Sequence, residues 1–230
     1  MYGYKYPHPA VTVDCVVFGL ANDTSNLSVL LVQRDLEPYR DRWALPGGFV
    51  RLDEDLVAAA RGELREETGV GALYLEQLAA FGAPDRDPRE RVITIAWLAI
   101  VNLFDHPVHA STDARKAGWF SIDELPPLAF DHDAIVAAAL ERLRRKVREE
   151  PVVFEFLPAR FTLSQVQTLM ETILGTSLDK RNFRRKIQAT GILVPLDEVE
   201  MDVAHRAAQL FRLDCERCDA LRGEGLRFLL

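Results

Sequence analysis

Cysteine is scarce, at three in 230 residues, and the odd number fits a reducing, cytoplasmic compartment better than a disulfide framework. Cys215 and Cys218 form a lone CxxC, with no second pair and no nearby histidine to complete a zinc site. Long hydrophobic runs are missing too. No stretch approaches the roughly 18 apolar residues of a membrane span, so no membrane partner is expected. The opening "MYGYKYPHPAVTVDCVVFG" lacks the basic start, apolar middle and small-residue cleavage site of a signal peptide. No internal repeat or low-complexity tract occurs. With 48% apolar and 27% charged residues the composition is that of a globular protein, long enough for one large domain or a domain plus a small one.

Positive charge is short over the first 150 residues, which carry 17 Lys and Arg against 24 Asp and Glu, a net of −7. Residues 151–230 carry 11 of each and are neutral. Inside that neutral part, "DKRNFRRK" (179–186) holds five bases against one acid. Such concentration is a sharper signal for a polyanion than a generally basic chain.

The β-branched runs "AVTVDCVVFGL" and "LSVLLVQRD", split by a polar turn, predict a hairpin. "RWALPGGFV" predicts a strand followed by a glycine loop. A helix is expected over about Leu56–Thr68, with Asp53 or Asp55 at its start and Gly69 beyond its end. "LEQLAAFG", "RVITIAWLAIVNL" and "KAGWFSIDELPPL" supply further strands, and Asp131–Glu150 a helix stopped by Pro151. Alternating strands and helices imply a layered α/β or α+β domain over 1–150. "VVFEFL" is expected to connect it to a second unit over 151–230. There Thr162 and Gln165 form a capping box, and Val166, Leu169, Met170 and Ile173 follow at helical spacing. A basic helix from near Asp179 comes next. Two strands, "GILVPL" and "AAQLFRLD", are joined by the acidic loop "DEVEMDVAHR". That order is the order of a winged helix-turn-helix.

Glu63, Glu66 and Glu67 stand at i, i+3 and i+4, so they share one helix face. Three crowded carboxylates make sense as ligands for Mg²⁺ shared with a substrate's phosphates; the alternative is a solvated acidic face. With Gly48, Glu54, Leu64, Gly69 and Val70 at fixed offsets, the segment Gly47–Val70 resembles the Nudix box of nucleoside diphosphate-linked hydrolases. The resemblance implies an α/β/α Nudix sandwich with a mixed sheet, and Glu63, Glu66 and Glu67 as metal and catalytic residues. One residue departs from it. Gly62 stands where the family has arginine. An arginine there, four residues before Glu66, would align that carboxylate through a bidentate pair. Arg61 and Arg65 each point about 100° away. Hydrolysis, which depends on closely placed groups, is therefore expected to suffer more than binding.

"RWALPGGFV", "GAPDRDPRERV" and "LAFDH" resemble segments of ADP-ribose-type Nudix proteins and of the Nudix-related transcriptional regulators of NAD metabolism. The resemblance implies that Gly47 and Gly48 approach a diphosphate and that Arg86 or Arg89 reaches phosphate or ribose oxygens. A solvated charged turn is the alternative for the two arginines. His132 is either a ligand contact or structural. A general base would be sought on "HASTDARKAGWF", whose only carboxylate is Asp113. The phrase "LDKRNFRRKI", the "FTL" entry and the wing-like "AQLFR" resemble the C-terminal winged helix of the same regulators. Lys180, Arg181, Asn182, Arg184, Arg185 and Lys186 are then the DNA-binding residues, with Arg181 and Asn182 within reach of base edges. The acidic wing (Asp197, Glu198, Glu200, Asp202) opposes a phosphate backbone, partly offset by Arg206 and Arg212.

Two functions follow from these residues. One is a homodimeric repressor that binds an operator in double-stranded DNA and senses an ADP-ribose-type nucleotide. The other is a Mg²⁺-dependent ADP-ribose pyrophosphatase with an accessory C-terminal domain. A protein–protein adaptor on a dead enzyme scaffold is a third.

Overall fold

The computed structural model describes residues 5–20, 26–69, 74–102, 116–199 and 208–223. They form two compact units: residues up to Gly19, Ser28–Val101 and on to Leu140 make the first, and Leu20, Leu27, Asn102 and the chain from Glu141 make the second. The first unit holds strands β1 (Ala10–Leu20), β2 (Leu27–Gln33), β3 (Trp43–Ala44) and β4 (Gly47–Phe49), then helix α1 (Leu56–Thr68). Strands β5 (Tyr74–Phe81), β6 (Val92–Val101) and β7 (Ala117–Ser121) follow, and then the start of helix α2 (His132–Glu149). Among the described residues these seven strands make one sheet in the order β3-β2-β1-β6-β5, with β4 also on β1 and β7 on β2. β1 runs parallel to β6, from Ala10 opposite Val92 to Gly19 opposite Val101. The pairings of β4, β3, β7 and β5 are antiparallel, so the sheet is mixed, as expected.

Position in the sheet explains composition. β1 lies between β2 and β6, and Val13, Cys15, Val16, Val17 and Phe18 are all fully buried. A strand covered on both faces reads as a continuous apolar run. Helix α1 begins at Asp55, whose carboxylate accepts the Ala58 N–H at 2.7 Å, so Asp55 rather than Asp53 is the cap. It ends at Gly69, at φ 69°. Ala59, Ala60 and Leu64 are buried, and the Ala60 carbonyl lies 3.8 Å from Cys15 Sγ on β1.

The expected glycine loop is instead strand β4. Gly47 pairs with Asp14 and Gly48 with Val13. Closeness explains both residues: a Cβ on Gly47 would lie 2.2 Å from the Val13 carbonyl oxygen, and one on Gly48 2.2 Å from Glu63 Oε1.

The main stretch of the second unit starts at Glu141, with the end of α2. Its expected connector is a buried 3₁₀ helix, Pro151–Phe156, whose Val152, Val153, Phe154 and Phe156 are core residues. Strand β8 (Phe161–Thr162), helices α3 (Leu163–Leu174) and α4 (Lys180–Ala189), strands β9 (Leu193–Val199) and β10 (Gln209–Leu213) and helix α5 (Cys215–Gly223) follow. The strands pair in the order β8-β10-β9. The capping box of α3 is formed in both directions, Gln165 N to Thr162 Oγ1 at 3.2 Å and Thr162 N to Gln165 Oε1 at 2.7 Å. Glu171 fastens the α3–α4 turn by accepting the Leu178 N–H at 2.8 Å. Asp179 caps α4 through the Asn182 N–H at 2.8 Å.

Two features of this unit differ from expectation. β9 continues through Asp197, Glu198 and Val199, so part of the acidic segment expected as loop is strand. Helix α5 is not expected from the sequence, which is polar there and lacks an apolar stripe; Asp214 caps it by accepting the Arg217 N–H at 3.0 Å. It carries the CxxC, with Cys215 exposed, Cys218 buried and neither in a disulfide. Val70, Asp113, Glu200, Asp202 and Arg206 lie outside the described residues.

Candidate functional site

The first unit contains a cleft of about 490 Å³, within the size range of ligand pockets. Glu63, Glu66 and Glu67 of α1 form one side, Gly47 and Gly48 of β4 another, and Arg86, Arg89 and His132 a third. Every sequence-predicted metal and ligand residue thus lines one cavity. Their states differ. Glu66 is exposed, Glu63 half-buried and Glu67 buried. Glu67 Oε2 accepts the Gly47 N–H at 3.0 Å, fastening α1 to β4. Glu54 Oε1 accepts the Arg51 N–H at 2.7 Å and shapes the turn before α1.

The floor of the cleft is an ionic network. Arg86 holds Asp131 bidentately, Nε to Oδ2 at 3.0 Å and Nη2 to Oδ1 at 2.7 Å, and its Nη2 lies 3.3 Å from Asp14 Oδ2. Its side chain is 4% exposed, so this guanidinium is engaged with carboxylates. His132 Nδ1 accepts the Leu45 N–H at 2.9 Å, and Nε2 lies 3.5 Å from Asp14 Oδ1. Burial lowers the His132 pKa, against the pull of Asp14. A neutral imidazole protonated at Nε2 fits both contacts. His132 therefore has a structural duty at the cleft wall.

Arg89 differs from Arg86. It pairs bidentately with Asp87, at 3.0 and 2.7 Å, yet its side chain stays 41% exposed. Burial alone would raise the Asp87 pKa, but hydrogen bonds and charge from Arg89 outweigh it and hold it below the usual carboxylate range. The Arg89 guanidinium also lies 5.5 Å from the Phe49 ring centre and 5.7 Å from that of Phe130, at cation–π distance. Phe130 has φ 55°, a backbone strain of the kind found at ligand clamps, and its ring meets Arg34 at 4.7 Å and Tyr39 at 5.0 Å. Sequence reading misses Asp14, Asp131, Phe49 and Phe130. Asp14 alone leaves a signal, as the one charge in an apolar strand.

Gly62 lies within α1, and a Cβ there would meet nothing within 4 Å. Packing does not require the glycine. The three carboxylates are hard oxygen donors suited to Mg²⁺. Among the described residues no group of three His, Cys, Asp or Glu is placed to hold a metal ion.

In the second unit, α4 buries Phe183 and Ile187 and exposes Lys180, Arg181, Asn182, Arg185 and Lys186. Burying that apolar pair contributes about 1.5–3 kcal/mol per side chain, so the basic face is held rigidly at little cost to its own exposure. Arg184 departs from the expected role. It is half-buried, its Nη2 lies 3.3 Å from Ser164 Oγ on α3, and its Nε is buried with no partner among the described residues. On the wing strand, Glu198 pairs with Arg160 at 2.5 Å, which neutralises one of the acids expected to repel a phosphate backbone.

Residues 8–142 match the NUDIX domain, and residues 153–213 match the NrtR DNA-binding winged helix domain. The "ADPR responsive transcriptional repressor NtrR" of Acinetobacter baylyi is 36% identical over 218 residues, spanning 93% of this chain and 86% of that protein. The chain belongs to the NrtR family. A NrtR structure from Shewanella oneidensis, complexed with a 27mer DNA, superposes with a TM-score of 0.82 at 30% identity, covering 95% of this chain and 97% of that one. The NUDIX domain of the same NrtR, crystallised with ADP ribose, matches at 33% identity and a TM-score of 0.56, covering 62% and 94%. An ADP-ribose pyrophosphatase of Methanocaldococcus jannaschii is 37% identical over 131 residues, 57% of this chain and 73% of that protein. The NrtR-family pattern of a NUDIX domain followed by a winged helix therefore accounts for both sites. The likeness to the repressor spans 93% of this chain, whereas that to the pyrophosphatase spans 57%.

Proposed function

We propose that this chain is a transcriptional repressor that binds operator DNA through α4 and senses ADP-ribose, or a related NAD-derived nucleotide, in the cleft. The observation that carries the proposal is the coexistence in one chain of a nucleotide-sized cleft and an exposed basic helix within a winged helix. Residues 1–150 form the sensing domain and 151–230 the DNA-binding domain. The protein works in the cytoplasm as a homodimer whose two winged helices read the halves of a palindrome, and the genes it controls serve NAD metabolism.

In the cleft, Gly47 and Gly48 let the diphosphate approach the backbone, and Arg89 remains exposed enough to meet a phosphate or ribose oxygen. Arg86, held by Asp131 and Asp14, shapes the floor and contributes field rather than a free donor. Glu63, Glu66 and Glu67 would hold Mg²⁺ together with the diphosphate. When bound, that cation neutralises the phosphate charge that the carboxylates would otherwise repel. Without an arginine at position 62, Glu66 lacks its along-helix partner, and cleavage is slow or absent while binding persists. The second reading, an ADP-ribose pyrophosphatase, is favoured by one observation: Glu63, Glu66 and Glu67 all line the cleft.

Calorimetric titration of the full chain with ADP-ribose, with Mg²⁺ or with EDTA, followed by an AMP-release assay on the same sample, separates the readings. Saturable binding without turnover, with salt-sensitive DNA retention changed by ADP-ribose, is expected. Turnover of about 1 per second or faster with no DNA retention supports the hydrolase instead.

A further inference from the structure

The two adjacent arginines of α4 have different tasks. Arg184 is tied to α3 through Ser164, whereas Arg185 stays exposed and, among the described residues, bonds within its own helix, its Nη2 donating to Asn182 Oδ1 at 2.7 Å. The Asn182 backbone N–H is in turn held by the Asp179 cap. Asn182 and Arg185 are thus three residues apart on one exposed face, near the start of the helix, where recognition helices meet base edges.

An exposed arginine side chain has rotamer entropy to lose when it is fixed against a base. A 2.7 Å bond from one terminal nitrogen orders the guanidinium before DNA arrives. It occupies a single N–H and leaves the other donors of the fork, which match the O6 and N7 acceptors of guanine. With its carboxamide oxygen engaged in this way, Asn182 is not disposed to make the bidentate contact with adenine that the side chain could make alone.

We propose that Asn182 and Arg185 form one reading unit for a guanine in the major groove, with Arg185 contacting the base and Asn182 acting as the positioning residue. The inference rests on the DNA-binding role of α4 and assigns its specificity. Arg184 serves as a strut between α3 and α4 and reads nothing.

The test is selection of double-stranded DNA from a randomised library by the full chain, followed by affinity measurements on the selected site with every base pair changed in turn. Arg185→Ala relaxes discrimination at one G·C pair by about tenfold or more. Asn182→Ala relaxes the same pair, and the double variant is no worse there than Arg185→Ala. Because Asn182 carries no charge, its removal leaves the salt dependence of binding unchanged, whereas removing a charge that neutralises a phosphate would weaken that dependence. Asn182→Asp, which keeps an acceptor for Arg185, restores discrimination at that pair. Relaxation at a different base pair would make Asn182 a reader in its own right and overturn the proposal. So would unaltered discrimination in Asn182→Ala. If the wild-type chain retains no DNA from the library, the repressor reading itself fails, an outcome distinct from both.

Discussion

The cleft floor and the basic helix are both built from charged residues, and they use charge in opposite ways. In the cleft, Arg86 meets Asp14 and Asp131, and His132 meets Asp14, each at a defined distance. On α4, same-sign charges project from a helix anchored by two apolar residues. A buried charge is costly unless its partners are in place, so the first arrangement tolerates almost no change. An exposed charge in water is nearly neutral for stability, so the second is open to selection for binding alone. Charge thus serves shape in the cleft, whereas on α4 it stays exposed to solvent.

The sharpest way to break this contrast is Arg86→Ala. It leaves Asp14 and Asp131 beside each other without their cation, and urea denaturation should show a loss of about 3–5 kcal/mol. Arg185→Ala, on the exposed helix, should stay within about 0.5 kcal/mol in the same assay. Equal losses would erase the distinction. Next in size is a DNA effect without a stability effect. Replacing Lys180 and Arg181 together with alanine should weaken retention across all sequences. It should also lower the slope of log affinity against log salt by about 1 for each phosphate that is no longer neutralised.

The pH dependence of the cleft gives a smaller effect of definite sign. His132 has a lowered pKa because it is buried, so between its folded pKa and about 6.5 the unfolded chain binds more protons. The stability it confers is complete above about pH 6.5 and is lost as pH falls towards the folded pKa. Urea midpoints taken from about pH 7.5 down to about 5.5 should fall for the wild type, and His132→Asn should flatten that part of the curve. Gly62→Ala should act in the opposite direction. Space is open at that position, so relief of the glycine should raise stability by about 1 kcal/mol, with ADP-ribose affinity unchanged.

Much of this protein is legible before folding. Regular elements declare themselves through periodicity and caps: Leu56–Thr68 and the Thr162–Gln165 box form as read. The apolar anchors Phe183 and Ile187 and the shared face of Glu63, Glu66 and Glu67 on the cleft also follow, because i, i+3 and i+4 spacing on a helix fixes a common face whatever surrounds it. Helix α5, polar and without a stripe, leaves no such pattern, and the CxxC within it draws attention away from its backbone.

Tertiary structure decided the rest. Arg86 and Arg89 sit three residues apart in one charged turn and look equivalent, yet one is buried against Asp14 from β1 and the other stacks in the open on Phe49 and Phe130. Gly47 and Gly48 read as a loop but lie in a strand, because the distances to Val13 and Glu63 exist only once β1 and α1 have packed. Local interactions repeat along the chain and can be counted from sequence. Contacts between residues far apart in sequence depend on where the sheet places each strand, and no local pattern encodes that distance.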